Sequence, residues 1–239
     1  MTLPPLLVTR LHEDAETFVA AVEGRFGQPV QAILSPLFEI VPVAAEPPPC
    51  RGLILTSRHG AAAAARLGLP RDLPAFCVGP ATTLAAADLG FDARDLGGDA
   101  ARLKAALRRI RPEAPLLHLR GRHARGGIAA RLSADGLPTD ERVVYDQAAR
   151  PLSPEAARLL QGELPAILPV FSPRSAALLA AAEAIRAPLD VVAISAAAAA
   201  PFDRMSGVRV HLAGRPDAQS MVDATAERLI AATGSSGAG

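Results

Sequence analysis

The chain has 239 residues, half of them hydrophobic and 21% charged, which is a globular composition and not a disordered one. That length suits two domains of ~100 residues each or one large domain. Lys and Arg total 25 against 24 Asp and Glu, a net charge of +1, which argues against nucleic-acid binding through general basicity.

Taken in chain order, Pro5–Thr9 reads as a strand and Ala15–Arg25 as a helix. Strand Leu53–Thr56 precedes helix Ala61–Leu67, and strand Ala75–Val78 precedes helix Thr82–Leu89. Helix Ala100–Ile110, strand Leu116–Leu119 and helices Gly127–Leu132 and Pro154–Leu160 follow. Strand Ala166–Phe171, helix Ser175–Ile185, strands Val191–Ile194 and Val208–Leu212, and helix Ala218–Ala232 complete the set. The strands are continuous apolar runs, the pattern of strands covered on both faces. Their alternation with helices predicts α/β architecture with parallel sheets. The tail from Gly234 to Gly239 is expected to be disordered.

An internal repeat organises these elements. Three matches share a spacing of 116 residues: Thr56 with Ser172, Gly79 with Ser195, and Gly98 with Gly214. Pro5–Arg10 matches Pro115–Arg120 at a spacing of 110, and Gly27 matches Gly136 at 109. The chain therefore reads as units A (1–34), B (50–98), A′ (114–142) and B′ (166–214). The joints Ser35–Val43 and Arg142–Ala148 look extended, and the prolines at 42, 47, 48, 49 and 151 oppose helix through either. Sequence order alone suggests that A joins B and A′ joins B′.

Cys50 and Cys77 build no disulfide framework, sit in no CxxC and read as bystander thiols in a reducing compartment. The start, Met1 to Arg10, lacks the basic and apolar regions of a secretory signal. The longest largely apolar run, Val191 to Phe202, is shorter than the ~20 residues of a membrane span. A cytoplasmic protein with neither membrane nor nucleic-acid partner is expected. The five histidines show no metal-ligand spacing, so no metal is expected, and no GxSxG or serine triad is found.

Ligands of parallel sheets bind at the carboxyl ends of strands, near helix N-termini. Four such ends carry small hydroxyl or glycine residues: Thr56-Ser57, Gly79 to Thr83, Ser172 to Ser175, and Ser195-Ala196. Helix capping alone explains any one of them. Four at matching places suggest a cleft lined by backbone N–H groups for an anionic small molecule. The loop Leu119–Gly127 is rich in Gly and Arg but lacks both GxxxxGK[ST] and GxGxxG, so nucleotide binding is not expected. It is either a solvated basic loop or a binder of carboxylates through Arg120 or Arg122. Tyr145, the sole tyrosine, is either a packing aromatic on the second joint or a functional phenol.

The pattern resembles the uroporphyrinogen-III synthase family over nearly the whole chain. The residues that carry this are Leu6–Arg10, Leu53–Ser57, Val78–Thr83, Gly90-Phe91, Leu119–Gly121, Val144-Tyr145, Phe171–Ser175 and Ile194-Ser195. The resemblance implies two similar flavodoxin- or Rossmann-like lobes with parallel sheets, joined by a two-stranded linker. It assigns 1–36 plus 150–239 to one discontinuous lobe, 50–142 to the other, and 37–49 and 143–149 to the linker strands. The implied reaction is cyclisation of hydroxymethylbilane to uroporphyrinogen III, with inversion of ring D and loss of water. This is a hydro-lyase step of haem, chlorophyll and cobalamin biosynthesis, and it needs no cofactor. Tyr145 matches the family's interdomain tyrosine and would protonate the leaving hydroxyl; a phenol, with an ordinary pKa of about 10, keeps its proton at neutral pH.

The implied substrate-binding residues are Arg10, Thr56, Ser57, Gly79, Thr82, Arg120, Gly121, Ser172, Ser175 and Ser195. The family often has a threonine-containing turn where this chain has Ser195 followed by Ala196–Ala200, so binding there falls to Ser195 and backbone. The resemblance further implies a monomer that contacts the upstream bilane-forming enzyme transiently. A non-catalytic tetrapyrrole-binding or sensor module on the same scaffold is the second reading.

Overall fold

The computed structural model describes residues 3–124, 127–181 and 185–234. The far end of the tail, expected to be disordered, lies outside the described residues, as do 182–184 of the helix expected over 175–185.

The chain divides into two compact units, residues 1–39 with 149–239, and residues 40–148. The first holds a five-stranded sheet. Its strands are β1 (Leu6–Val8), β2 (Ala32–Leu34), β9 (Ala166–Val170), β10 (Leu189–Ala193) and β11 (Val208–Leu212). Their order is β11-β10-β9-β1-β2, and every pair is parallel. The six-stranded sheet uses β3 (Phe38–Pro42), β4 (Gly52–Leu55), β5 (Pro74–Cys77), β6 (Asp92–Asp95), β7 (Leu116–Gly121) and β8 (Thr139–Ala149). Its order is β3-β8-β7-β4-β5-β6, with β4 to β8 mutually parallel.

At the repeat spacing, β4, β5 and β6 correspond to β9, β10 and β11, while β1 and β2 correspond to β7 and β8. Corresponding strands stand in the same order in both sheets, with β3 added outside β8. The two joints of the repeat pair with each other: Val43 N–H donates to Val144 O at 3.0 Å and Arg150 N–H to Leu37 O at 2.8 Å.

The central strands are buried on both faces, which explains their unbroken apolar runs. In the second unit Leu53, Leu55, Leu117 and Leu119 face α2 (Arg58–Arg66) and α3 (Pro80–Asp88). Ile54, Phe76 and Leu116 face α4 (Ala100–Ile110) and α5 (Ile128–Ala134) through Leu103, Leu107, Ile128 and Leu132. In the first unit Leu6, Val8, Ile167 and Val192 pack under α1 (His12–Phe26) and α9 (Ala218–Gly234). Leu7, Leu168, Val170 and Val191 pack against α6 (Pro154–Gln161), α7 (Pro173–Ala180) and α8 (Ala196–Ala199).

Several ends differ from expectation for local reasons. Helix α7 closes at Ala181 and does not run to 185. The alanine run forms one helical turn, and Pro201 follows in a 3-10 turn over Ala200–Phe202. Strand β6, Asp-Ala-Arg-Asp, is a charged edge strand without the apolar run that marks a central one. Cys77 is buried, and burial pushes its thiol up to about 11, in keeping with a bystander role. Among the described residues no helix is long and apolar enough to cross a membrane.

Phe76 is 1% exposed and faces the α4–α5 layer. Phe76→Ala is expected to cost about 3–5 kcal/mol, read as a fall in the urea midpoint with an unchanged denaturant slope. A midpoint shift worth less than about 1 kcal/mol would show that the layer collapses into the gap.

Candidate active site

Parallel strands deliver their carboxyl ends to one edge of a sheet, where the following helices begin. In the six-stranded sheet that edge carries Thr56 and Ser57 after β4, Gly79 after β5, and Gly121 at the end of β7. Ser57 is the N-cap of α2, and its hydroxyl accepts from Gly60 N–H at 3.1 Å. The same Ser57 Oγ lies 2.9 Å from the Tyr145 hydroxyl. Two residues 88 apart in sequence thus meet as a hydrogen-bonded pair.

Tyr145 reaches Ser57 because β8 carries a register slip. Arg120 pairs with Val143, but Gly121 pairs with Tyr145, so Val144 is an extra residue in the ladder. Ordinary alternation would send Val144 and Tyr145 to opposite faces, yet both join the core under α2 and α3. The ring lies directly over Gly121: a Cβ there would stand 2.5 Å from Tyr145 Cε2 and 2.7 Å from Cζ. Only glycine leaves room for the phenol. His59 contacts the ring edge-on, with centroids 5.5 Å apart. A cavity of about 100 Å³ opens beside Tyr145, lined by Gly121, Arg122, His123, Ala124 and Gln147.

The opposite face of the same edge holds a second pair. Thr56 Oγ1 lies 3.3 Å from His118 Nε2. His118 stands opposite Ile54 on β4 and Glu141 on β8, and is 1% exposed. Burial holds its pKa down at about 4, with Glu141 opposing and Arg120 reinforcing the shift. The imidazole is therefore neutral at physiological pH. Arg120 donates to Glu141 Oε1 at 2.6 Å and to Gly121 O at 3.1 Å. The bond to Glu141, with the positive charge behind it, holds that carboxyl below its usual range.

The remaining expected residues are also engaged within the protein. Gly79 has φ of 78°, a conformation glycine adopts freely, and is the N-cap of α3 ahead of Pro80. Its N–H donates to Asp95 Oδ1 at 3.2 Å, which also accepts from Gly97 N–H at 2.9 Å. Thr82 is buried within α3. In the five-stranded unit Arg10 pairs with Asp14 at 3.4 Å and stacks 4.2 Å from the Phe171 ring centroid. Ser172 caps α7, accepting from Ser175 N–H at 3.0 Å, and its Oγ lies 2.8 Å from that of Ser175. Ser195 caps α8, accepting from Ala198 N–H at 3.4 Å. Capping therefore accounts for Ser57, Ser172 and Ser195 alike, each at the carboxyl end of a strand.

Sequence reasoning passed over His118, Asp95 and Asp146. For His118 a signal existed: it is a lone polar residue inside the buried run Leu116–Leu119. Asp146 holds Arg122 Nε at 2.8 Å and His123 Nε2 at 3.3 Å. Neither it nor Asp95 carries a signal that spacing reveals. Among the described residues no group of three or more His, Cys, Asp or Glu is placed to hold a metal ion.

Gly121→Ala is expected to drive the phenol off Ser57. With one tyrosine and no tryptophan in the chain, the tyrosine band in near-ultraviolet circular dichroism reports Tyr145 alone. That band is expected to change, and an unaltered band would show that the ring tolerates a Cβ. The buried His118 also predicts a pH dependence. Its folded pKa of about 4 lies below the ordinary 6.5, so the unfolded chain takes up the proton first on acidification. Stability is then lost as pH falls through that window, by about 3 kcal/mol in all. His118→Leu should flatten the wild-type slope between those pH values by about one proton, and an unchanged slope in denaturant titrations would contradict it.

No curated protein sequence is significantly similar to this chain. A solved uroporphyrinogen-III synthetase from Helicobacter pylori 26695 superposes with a TM-score of 0.64 at 16% identity, covering 92% of this chain and 97% of that one. A uroporphyrinogen III synthase from the extremely thermophilic bacterium Thermus thermophilus matches with a TM-score of 0.41 at 17% identity, covering 96% and 99%. The family model for uroporphyrinogen-III synthase HemD matches residues 17–223, most of the chain and both units. With that match, this chain belongs to the uroporphyrinogen-III synthase family, lyases of tetrapyrrole biosynthesis.

Proposed function

We propose that in this chain Tyr145 is the proton donor for the ring closure of hydroxymethylbilane to uroporphyrinogen III. The observation that carries the assignment is the Tyr145 hydroxyl held 2.9 Å from Ser57 Oγ beside a small cavity. With Ser57 donating to the phenol oxygen, the phenol's own hydrogen is free for a leaving group. A volume of about 100 Å³ admits a hydroxyl and a few waters, at ~30 Å³ each.

The C–O bond at the ring A hydroxymethyl carbon breaks as the pyrrole nitrogen pushes electrons in, and the Tyr145 proton converts the departing hydroxide to water. Ring D attacks the resulting azafulvene through its substituted carbon, and the spiro intermediate fragments and recloses with ring D inverted. The proton released as the last pyrrole ring regains its aromaticity restores the phenol, so the sum is loss of one water. Without an enzyme the bilane closes head to tail, so holding the folded chain is the greater part of catalysis.

Carboxylate contacts are proposed for Thr56, for the amides that open α2 and α3 after Ser57 and Gly79, and for Thr82, Arg120 and Gly121. Arg10, Ser172, Ser175 and Ser195 are proposed contacts of the same kind on the five-stranded unit. The same reading takes the protein as a cytoplasmic monomer, and a reactive, self-closing substrate favours transient contact with the enzyme that releases the bilane.

Incubation with hydroxymethylbilane and separation of the product isomers tests the reading. The wild type is expected to yield the III isomer, and the I isomer alone would reject it. Tyr145→Phe is expected to lower turnover about tenfold or more, roughly 1.4 kcal/mol of barrier. Undiminished turnover would reduce Tyr145 to packing.

A further inference from the structure

Among the described residues, one buried polar side-chain atom lacks a partner. His118 Nδ1 is shut away from solvent, and no hydrogen-bond partner meets it. The other ring nitrogen, Nε2, lies 3.3 Å from Thr56 Oγ1. A neutral imidazole carries one hydrogen, and its position decides which way the Thr56 hydroxyl points.

Two arrangements compete. In one, Nδ1 carries the hydrogen; this leaves a donor orphaned in the core, and the Thr56 hydrogen is spent on Nε2. In the other, Nε2 carries it and donates to Thr56 Oγ1, and Nδ1 keeps a bare lone pair. Orphaned buried N–H groups are rarer in folded proteins than under-satisfied acceptors. That preference favours the second arrangement. It leaves the Thr56 hydrogen free at the carboxyl-terminal edge of the sheet, where the residue is only half-buried. The charged groups that act on His118 are Glu141 from β8 and Arg120 from its own strand, and these two are paired with each other.

We propose that His118 is a positioning residue which, through an Nε2–H···Oγ1 bond, fixes Thr56 as a hydrogen-bond donor to a substrate carboxylate. The inference rests on the synthase reading above and specifies the polarity of one of its contacts. With one Thr56 lone pair taken by Nε2–H, the hydroxyl hydrogen is turned toward the ligand, which favours an anion over a hydroxyl or amide donor. His118 touches no reacting atom, so its effect falls on binding and not on the chemical step.

The tautomer is read directly, without substrate, from nitrogen-15 chemical shifts of the histidines in the wild-type protein at neutral pH. The expected result is a neutral His118 protonated on Nε2; protonation on Nδ1 overturns the proposal. Kinetics supply the second arm. Thr56→Val is expected to raise KM for hydroxymethylbilane about tenfold with kcat held. His118→Leu should raise KM about threefold, and His118→Gln, whose amide can donate from a similar place, should stay within about twofold of wild type. The double variant His118→Leu with Thr56→Val should match Thr56→Val alone. An additive double variant, or a fall in kcat in place of a rise in KM, overturns the proposal. Failure of the synthase reading shows separately, as a wild type that makes no III isomer whatever its tautomer.

Discussion

Where β7 meets β8, the ladder slips by one residue, and Gly121 comes to face Tyr145 with no side chain between them. The geometry of the site follows from that approach. The missing Cβ lets the phenol lie flat on the strand, and the extra residue turns it toward α2. Its hydroxyl then lies within hydrogen-bond distance of Ser57, the N-cap of α2. Ser57 is held by its own bond to Gly60 N–H, so the phenol rests on an atom that a helix terminus fixes. A rigid scaffold of this kind suits a reaction whose difficulty is orientation more than acid strength.

The two faces of the six-stranded sheet divide the work. On the α2 side sit Ser57, Tyr145 and His59. On the α4 side sit Thr56, His118, Arg120 and Glu141. Strand alternation produces this split, because neighbouring residues at a strand end point to opposite faces. Thr56 and Ser57 are therefore adjacent in sequence yet belong to different hydrogen-bonded groups.

Charge is handled locally. The net charge of +1 offers a polycarboxylate almost no long-range attraction. Four of the donors considered for it already hold a carboxylate of the protein: Arg120 holds Glu141, the Gly79 amide holds Asp95, Arg122 holds Asp146 and Arg10 holds Asp14. Such pairs keep donors oriented at modest net energy when exposed. On the proposed assignment, recognition of the substrate depends on where donors are placed and which way their hydrogens point, more than on the amount of positive charge.

Much of this was legible in the residues themselves. Unbroken apolar runs marked the central strands because those are buried on both faces, and the common spacing of 116 residues marked the duplication. Charged β6 and the three-residue β2 were not legible, since an edge or a very short strand carries little apolar signal. Tyr145, Ser57 and Gly121 were each singled out, but their mutual contact was not, because it depends on a one-residue slip between strands far apart in sequence. By itself, then, the sequence determined the strands and helices, their repetition and the residue types at each strand end, all written in local burial patterns. The tertiary structure sets β1 beside β9 and not β4, a pairing that sequence order opposed and the family resemblance alone implied, and only the tertiary structure decided that Tyr145 meets Ser57. Strand pairing and register are long-range choices between nearly equivalent edges, and local periodicity carries no term that distinguishes them.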